Sequence, residues 1–261
     1  MLVIAAIALG LVARCPSPVA CMGPVPDVGF DTRRLILVRH GAVNRELSEP
    51  PVRAGALYGG NFDVPLSSVG EAEAVAAAKY IASQGCGDEV RFVCSSPMAR
   101  ALYGAKAIQA ELSPRVIGGL KVETNELLRE IDRGDWANLT VAEVEADPKY
   151  GPGAYDRCAL EDDYGREVAG GEGMADLRDR VLAARDYVLR GTRPGSASVI
   201  VSHMWVTRIL LADALGVSNV LEIDVPTASV SIVDYTHGSW PISVADTPAQ
   251  PRLLGFKPEL L

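Results

Sequence analysis

Three apolar, strand-like runs in this chain each hand over to a side chain able to hold an anion. Arg39 and His40 follow LILV, Arg100 comes just beyond FVCSSP, and His203 follows VIVS. A histidine just past a buried strand is fixed by the surrounding backbone and still faces a crevice. Its unperturbed pKa of ~6.5 leaves a neutral ring with a nucleophilic nitrogen at neutral pH. Gly41 lacks a Cβ, so the chain can turn sharply there and bring backbone N–H close to an anion. The guanidinium forks of Arg39 and Arg100 suit phosphate oxygens. Together these residues describe a pocket for a phosphoryl group. Such transfer asks mainly for positioning and for positive charge around the equatorial oxygens. Two arginines and a protonatable His203 supply that charge without Mg²⁺, so no metal and no cofactor is expected.

The elements that must position these groups follow a strand-then-helix rhythm. LILV is an unbroken apolar run, as a strand covered on both faces should be. A helix is expected from Ser68, with Ser68 and Glu71 at capping-box spacing, to about Gly85. RFVCSSP reads as a strand ending at Pro97, followed by a helix over 98–112. TVAEVEADP offers a shorter helix in which Thr140 and Glu143 again have capping-box spacing. Residues 149–172, rich in Gly, Asp and Tyr, show no sustained period and read as a long surface excursion that contributes to specificity. An amphipathic helix over 174–189, the strand SVIVS, the helix WVTRILLADALG closed by Gly216, and the strand ASVSIVDY complete the pattern. This alternation predicts an α/β fold, a three-layer α/β/α sandwich around a mostly parallel, doubly wound sheet. In such sheets, sites form outside the carboxyl ends of the strands. The tail from Trp240, with its prolines, reads as extended and uncommitted to the fold.

Composition narrows the partners. The 261 residues carry a formal net charge of -8, and no dense Lys/Arg run would track a nucleic-acid backbone, so nucleic acid is excluded as a partner. An anionic substrate must then be met locally by a few placed arginines. The 5 cysteines form no C-x-x-C pair, and their odd number argues against a disulfide framework or zinc site. Cys94, inside a strand pattern, reads as a small buried hydrophobe. Residues 2–13 are uncharged and apolar, too short for a transmembrane helix of ~20 residues. They are either a secretory or organellar targeting segment or a weakly docked extension, and they reach a membrane only if residues 1–20 act as an anchor. A cytoplasmic location is the default. Oligomeric state is left open.

The pieces LILVRHGAV, DVPLSSVGEAEA, VCSSPMARALYGAKAI, LLREIDRGDWANLT, GGEGMADLRDRV and VIVSHMWVTRILLADALG occur in the order and spacing of a known family. The chain resembles the histidine phosphatase, or phosphoglycerate mutase-like, superfamily over about residues 34–235. It looks nearest the α-ribazole and broad-specificity phosphatase branches. The resemblance implies a domain over 33–240, between an N-terminal extension (1–32) and a C-terminal tail (241–261). It also implies that His40 attacks phosphorus and becomes a phosphohistidine. Arg39, Arg100 and His203 would cage the phosphate, with Gly41 and Asn44 as further substrate contacts. Glu130 would protonate the leaving oxygen and then activate water. The implied activity is a metal-independent phosphomonoesterase acting on a small phosphorylated metabolite. A mutase-type phosphoryl transferase and a non-catalytic phospho-ligand or protein-binding member are the alternatives.

Several residues carry milder expectations. His237 reads as a surface histidine, Asp63 as a structural cap, Trp136 as packing for the loop after Glu130, and Arg208 as part of an ion pair. Without the motif, Glu130 would read as a surface partner of Arg129 or Arg133. The chain departs from the family after R-H-G, where Ala42 and Val43 precede an early Asn44. It departs again after His203, where Met204 and Trp205 replace small residues. A large indole there should narrow the pocket or stack on an organic substrate.

Overall fold

The computed structural model of the chain describes residues 27–84, 86–236 and 249–260. The apolar N-terminal segment with Cys15 and Cys21, the helix end expected at Gly85, and His237 and Trp240 lie outside the described residues. Among the described residues, no helix is long and apolar enough to cross a membrane.

Strand β1 (Thr32–Arg39) begins ahead of the LILV run and pairs in parallel with β4 (Ser196–Ser202), placing Arg39 opposite Ser202. On its far side β4 runs parallel to β2 (Val90–Ser95), with Ser95 opposite Val201, and β3 (Lys121–Thr124) adds a parallel edge. Strands β5 (Val230–Thr236) and β6 (Ala249–Phe256) join the other side antiparallel. The six-stranded order is therefore β3-β2-β4-β1-β5-β6. Three parallel strands, β2, β4 and β1, thus end side by side.

Alternation along β1 explains its unbroken apolar run. Leu35 and Leu37 enter a core cluster with Leu177, Val181, Ala184 and Val188 of α6 (Met174–Gly191) and with Val206 and Leu210 of α7 (Met204–Leu215). Ile36 and Val38 point the other way, to Ala77 and Ile81 of α1 (Ser68–Ser83) and Ala105 and Ile108 of α2 (Ala99–Leu112). Both sheet faces are covered, as the three-layer expectation requires. Each fully buried Leu, Ile or Val is worth about 1.5–3 kcal/mol relative to exposure. Cys94 is buried in the first cluster, and burial pushes its thiol pKa up to about 12. Between the central strands β1 and β5, Arg34 is paired bidentately with Asp234, at 2.7 and 3.0 Å, with neither side chain open to solvent.

The caps fall close to expectation. Ser67 rather than Ser68 caps α1, accepting from the Gly70 N–H, and Thr140 and Glu143 form the reciprocal box of α3 (Val141–Ala146). Asp63 caps α2 by accepting from the Ala99 N–H at 2.9 Å.

Two expectations are corrected. Residues 149–172 contain α4 (Ala154–Leu160) and α5 (Tyr164–Ala169), whose Ala154, Cys158, Tyr164 and Ala169 pack around Trp136. The inward side chains are mostly small, so no strong apolar period marked them. Beyond residue 240, Ala249–Phe256 are the edge strand β6 rather than an uncommitted tail. Pro251 is tolerated there because an edge strand has one row of backbone groups without ladder partners.

Candidate active site

The first residue past β1 is held at both backbone ends: His40 N–H donates to the Ser202 carbonyl at 3.0 Å, and Ala228 N–H donates to the His40 carbonyl at 3.0 Å. The side chain is 3% exposed, and its Nδ1 lies 2.7 Å from the Gly41 carbonyl. A carbonyl only accepts, so Nδ1 carries the proton and Nε2 keeps a lone pair. Burial, reinforced by the charges of Arg100 and Arg39 and opposed by the Gly41 carbonyl, holds the His40 pKa well below the ordinary histidine value. The ring is therefore neutral, with its nucleophilic nitrogen unshared.

His203, the residue after β4, sits with its ring centroid 5.2 Å from that of His40. Both of its nitrogens are engaged. Arg100 Nε donates to Nδ1 at 3.2 Å, which leaves the proton on Nε2 to be donated to Ser96 Oγ at 2.7 Å. Burial first, then the charges of Arg100, His40 and Arg39, holds its pKa well below the ordinary value. Arg100 itself is fully buried and is aimed by the loop before α1. Its Nη1 donates to the Phe62 carbonyl and its Nη2 to the Gly59 carbonyl, each at 3.0 Å. Arg39 donates from Nη1 to the Val225 carbonyl at 2.6 Å, while its Nε is buried without a hydrogen-bond partner.

Glu130 arrives from a different part of the chain and is 8% exposed. Its carboxylate accepts from the Ile131 N–H at 3.1 Å and, at 3.3 and 3.4 Å, from the Trp205 N–H in the first turn of α7. The N-cap of that helix, His203, offers no side-chain cap, so Glu130 serves the open end of the helix. Arg129 pairs with Glu126 instead, and Arg133 lies over the Trp205 ring, so the surface-pair reading of Glu130 does not hold. Glu130 and Arg39 line one cleft of about 200 Å³, together with Arg45, Tyr58, Arg133, Tyr155, Met204 and Trp205. Arg39 and Glu130 line this cleft, while His40, His203 and Arg100 form a buried cluster joined by the ring contact and the Arg100–His203 hydrogen bond, so a neutral nucleophile lies among arginines.

The pattern of the histidine phosphatase superfamily (branch 1) matches residues 35–247. The chain belongs to that superfamily. It is 33% identical over 190 residues to a glucosyl-3-phosphoglycerate phosphatase of Mycolicibacterium vanbaalenii, covering 70% of this chain and 75% of that protein. A Yersinia enterocolitica protein named "Probable phosphoglycerate mutase GpmB" is 29% identical over 209 residues, covering 79% of this chain and 87% of the other. Among solved structures, a mycobacterial glucosyl-3-phosphoglycerate phosphatase complexed with VO3 superposes with a TM-score of 0.64 at 25% identity, covering 85% of this chain and 98% of that one. The expectation of a histidine phosphatase enzyme on an α/β fold stands.

Within this histidine phosphatase, two sequence-predicted contact residues also have local structural roles. Asn44 turns its side-chain oxygen to the Glu46 N–H, capping a short 3-10 turn. Gly41 is required by close packing: a Cβ there would lie 2.2 Å from the Gly70 carbonyl, so the turn after His40 rests directly on α1. Arg208, expected in an ion pair, donates to the Ile223 carbonyl at 3.0 Å and stacks 5.4 Å from the Trp205 ring. Trp136 packs in the core beneath the loop after Glu130, as expected.

Sequence reasoning missed Ser96, which accepts from His203 Nε2–H, and the cleft arginines Arg45 and Arg133. Ser96 carries a weak signal, since it follows β2 as His203 follows β4. The loop 59–61 is tied to the Glu130 segment by Gly60 N–H donating to the Ile131 carbonyl at 2.7 Å and Arg133 N–H to Asn61 Oδ1 at 2.8 Å. A Cβ on Gly60 would meet the Glu130 carbonyl at 2.5 Å. The acid and the arginine-aiming loop are therefore one packed unit. Among the described residues, no group of three or more His, Cys, Asp or Glu is gathered to hold a metal ion.

Proposed function

We propose that the chain is a metal-independent phosphomonoesterase that acts on a small phosphorylated metabolite through a phosphohistidine at His40. The observation that carries this reading is the His40 tautomer, with Nδ1–H bound to the Gly41 carbonyl and Nε2 left as a lone pair beside Arg39 and Arg100. Nε2 attacks phosphorus and the P–O bond to the alcohol breaks. The departing oxygen takes a proton from Glu130, and Arg39 and Arg100 balance charge on the equatorial oxygens. Water, deprotonated by Glu130, then attacks the phosphohistidine, releases inorganic phosphate and restores His40. His203 acts by holding Arg100 in place and by standing against the His40 ring.

The relative named a glucosyl-3-phosphoglycerate phosphatase supports hydrolysis, and the one named a mutase supports transfer between hydroxyls of one small acid as the second reading. Water access separates the two, because a mutase must shield its intermediate. Incubation with 3-phosphoglycerate, reading both inorganic phosphate and the 2-phospho isomer, decides between them: phosphate release is expected to dominate, and dominant isomerisation would overturn hydrolysis. The covalent step is tested by rapid quench for an acid-labile, base-stable phosphoprotein. It is expected in the parent protein and absent in His40→Ala, which should have no turnover. Full activity of His40→Ala would end the mechanism.

A further inference from the structure

The buried face of α1 is made of small or apolar residues, Gly70, Ala74, Ala77, Ala78, Ile81 and Ala82, and among them stands one carboxylate, Glu73, at 5% exposure. A buried carboxylate is unfavourable unless it is paired and hydrogen-bonded. Both oxygens of Glu73 have such partners. Oε2 accepts from the Ala42 N–H at 2.7 Å, and Oε1 accepts from Lys257 Nζ at 2.5 Å and from Thr227 Oγ1 at 3.4 Å. Lys257, the residue after β6, also donates to Thr227 Oγ1 at 3.0 Å. The Ala42 carbonyl accepts from the N–H of Ser67, the cap of α1, at 2.9 Å. Ala42 is thus fixed at both backbone groups by α1 and its cap.

The Ala42 N–H belongs to the same peptide unit as the Gly41 carbonyl, and that carbonyl is the acceptor for His40 Nδ1. In a planar trans peptide the N–H and C=O point to opposite sides, so an anchor on one sets the direction of the other. Donation to a carboxylate also strengthens the carbonyl as an acceptor, because linked hydrogen bonds polarise one another. We propose that Glu73, oriented by Lys257 of the C-terminal segment, is a positioning residue for the nucleophile: it aims the Gly41–Ala42 peptide so that the Gly41 carbonyl keeps the proton on His40 Nδ1 and the lone pair on Nε2. This rests on the reading of His40 as the nucleophile and deepens it. A neutral imidazole has two tautomers, and only the one protonated at Nδ1 attacks through Nε2. As the Nε2–P bond forms and the P–O bond breaks, positive charge grows on the ring while Nδ1–H stays in place, and the same carbonyl meets that charge.

The test reads p-nitrophenyl phosphate turnover and the nitrogen NMR signals of the His40 ring, assigned by their loss in His40→Asn. The parent protein is expected to show Nδ1 protonated and Nε2 unprotonated. Glu73→Ala should lower kcat about tenfold, as a slightly misaimed nucleophile does, and should draw the two ring signals together as the tautomers mix. The inhibition constant of inorganic phosphate should stay within about twofold, since Arg39 and Arg100 hold that anion. Glu73→Gln, whose amide oxygen can still accept from the Ala42 N–H, should restore most of kcat. Lys257→Met should lower kcat about threefold in the parent background and add nothing in Glu73→Ala, because Lys257 acts through the carboxylate. A lower melting temperature with kcat and ring signals unchanged would make Glu73 a structural pair only and overturn the proposal, as would equal Lys257→Met losses in both backgrounds. If Glu73→Ala does not fold, Lys257→Met decides, unchanged kcat and ring signals overturning the proposal. Absence of phosphate release by the parent protein would instead bring down the phosphatase reading, while the ring signals would still decide what Glu73 does to the tautomer.

Discussion

Arg100 Nε and His203 Nδ1 meet at 3.2 Å, both residues fully buried, one from the start of α2 and the other from the residue after β4. Among the described hydrogen bonds of Arg100 the imidazole lone pair is the one side-chain acceptor, the other two being loop carbonyls, and the Asp63 carboxylate stands farther off at 3.9 Å. Removing it leaves a buried donor unmet and frees the guanidinium to rotate. His203→Ala should therefore lower kcat on p-nitrophenyl phosphate by about 10²-fold, the scale of a misplaced catalytic group. His203→Asn, whose amide oxygen can accept, should recover part of the loss. Unchanged kcat in His203→Ala would show that this pairing does not serve the site.

Stability should depend on pH through the same two rings. Burial and the nearby arginines lower the pKa of both His40 and His203, so each stays neutral in the folded protein while the unfolded chain takes up a proton below pH ~6.5. In that window the unfolded state binds more protons, and stability is lost as the pH falls from about 6.5 toward the folded values. The slope is about 1.4 kcal/mol per pH unit for each ring. Urea midpoints at pH 7.5 and 5.5 should fall apart in the parent protein and draw together in a His40→Asn, His203→Asn double variant. Inorganic phosphate should offset the acid loss, since an anion among the arginines favours protonated rings. Equal pH dependence in the two proteins would remove the rings as its source.

Much of this was readable from the chain because the site residues follow apolar runs. His40 and His203 stand directly after strands covered on both faces, and Arg100 follows the strand that pairs beside them. What stayed hidden depends on register and on small side chains. Ser96 reaches His203 only because β2 and β4 end level with each other, a relation no single segment carries. Asn44 comes earlier than the family's spacing, and its side-chain oxygen accepts from the Glu46 N–H in its own local turn. Helices α4 and α5 bury Ala154, Cys158 and Ala169, which leave little hydrophobic period. Arg133 Nη1 and Trp205 Nε1, buried without hydrogen-bond partners, depend on long-range packing that no segment of sequence carries.

The contact between the loop after His40 and α1 is a second place where stability and function meet. A Cβ built on Gly70 would lie 1.9 Å from the Ala42 carbonyl and 2.7 Å from the Ala42 nitrogen, backbone atoms that cannot swing aside. Gly70→Ala should cost about 1–3 kcal/mol, the range of overpacked sites, and should also lower kcat by shifting the segment that carries His40. The comparison is Gly191→Ala at the end of α6, where an added Cβ meets nothing within 4 Å and neither property should change. Thermal melting and p-nitrophenyl phosphate turnover read both effects. A Gly70→Ala protein as stable and active as the parent would mean that this close approach is not enforced.

Glu130 sits where its carboxylate is steadied by the first turn of α7 while lining the cleft, which suits a group that must give a proton to one oxygen and take one from water. Protonation matters most when the leaving group is a poor one. An alkoxide needs the proton as the P–O bond breaks, whereas nitrophenolate leaves without it. In Glu130→Gln, the first-turnover rate of alcohol release from glycerol 3-phosphate should fall by about 10²-fold or more, the lower end of general acid contributions, and that of nitrophenolate far less. First-turnover measurement isolates this step from the later attack of water, which the same substitution also slows. Phosphohistidine should then accumulate on the Glu130→Gln protein with p-nitrophenyl phosphate, read by rapid quench. Equal losses on the two leaving groups would show that Glu130 is not the acid, and rapid breakdown of the phosphoprotein would show that it is not the base.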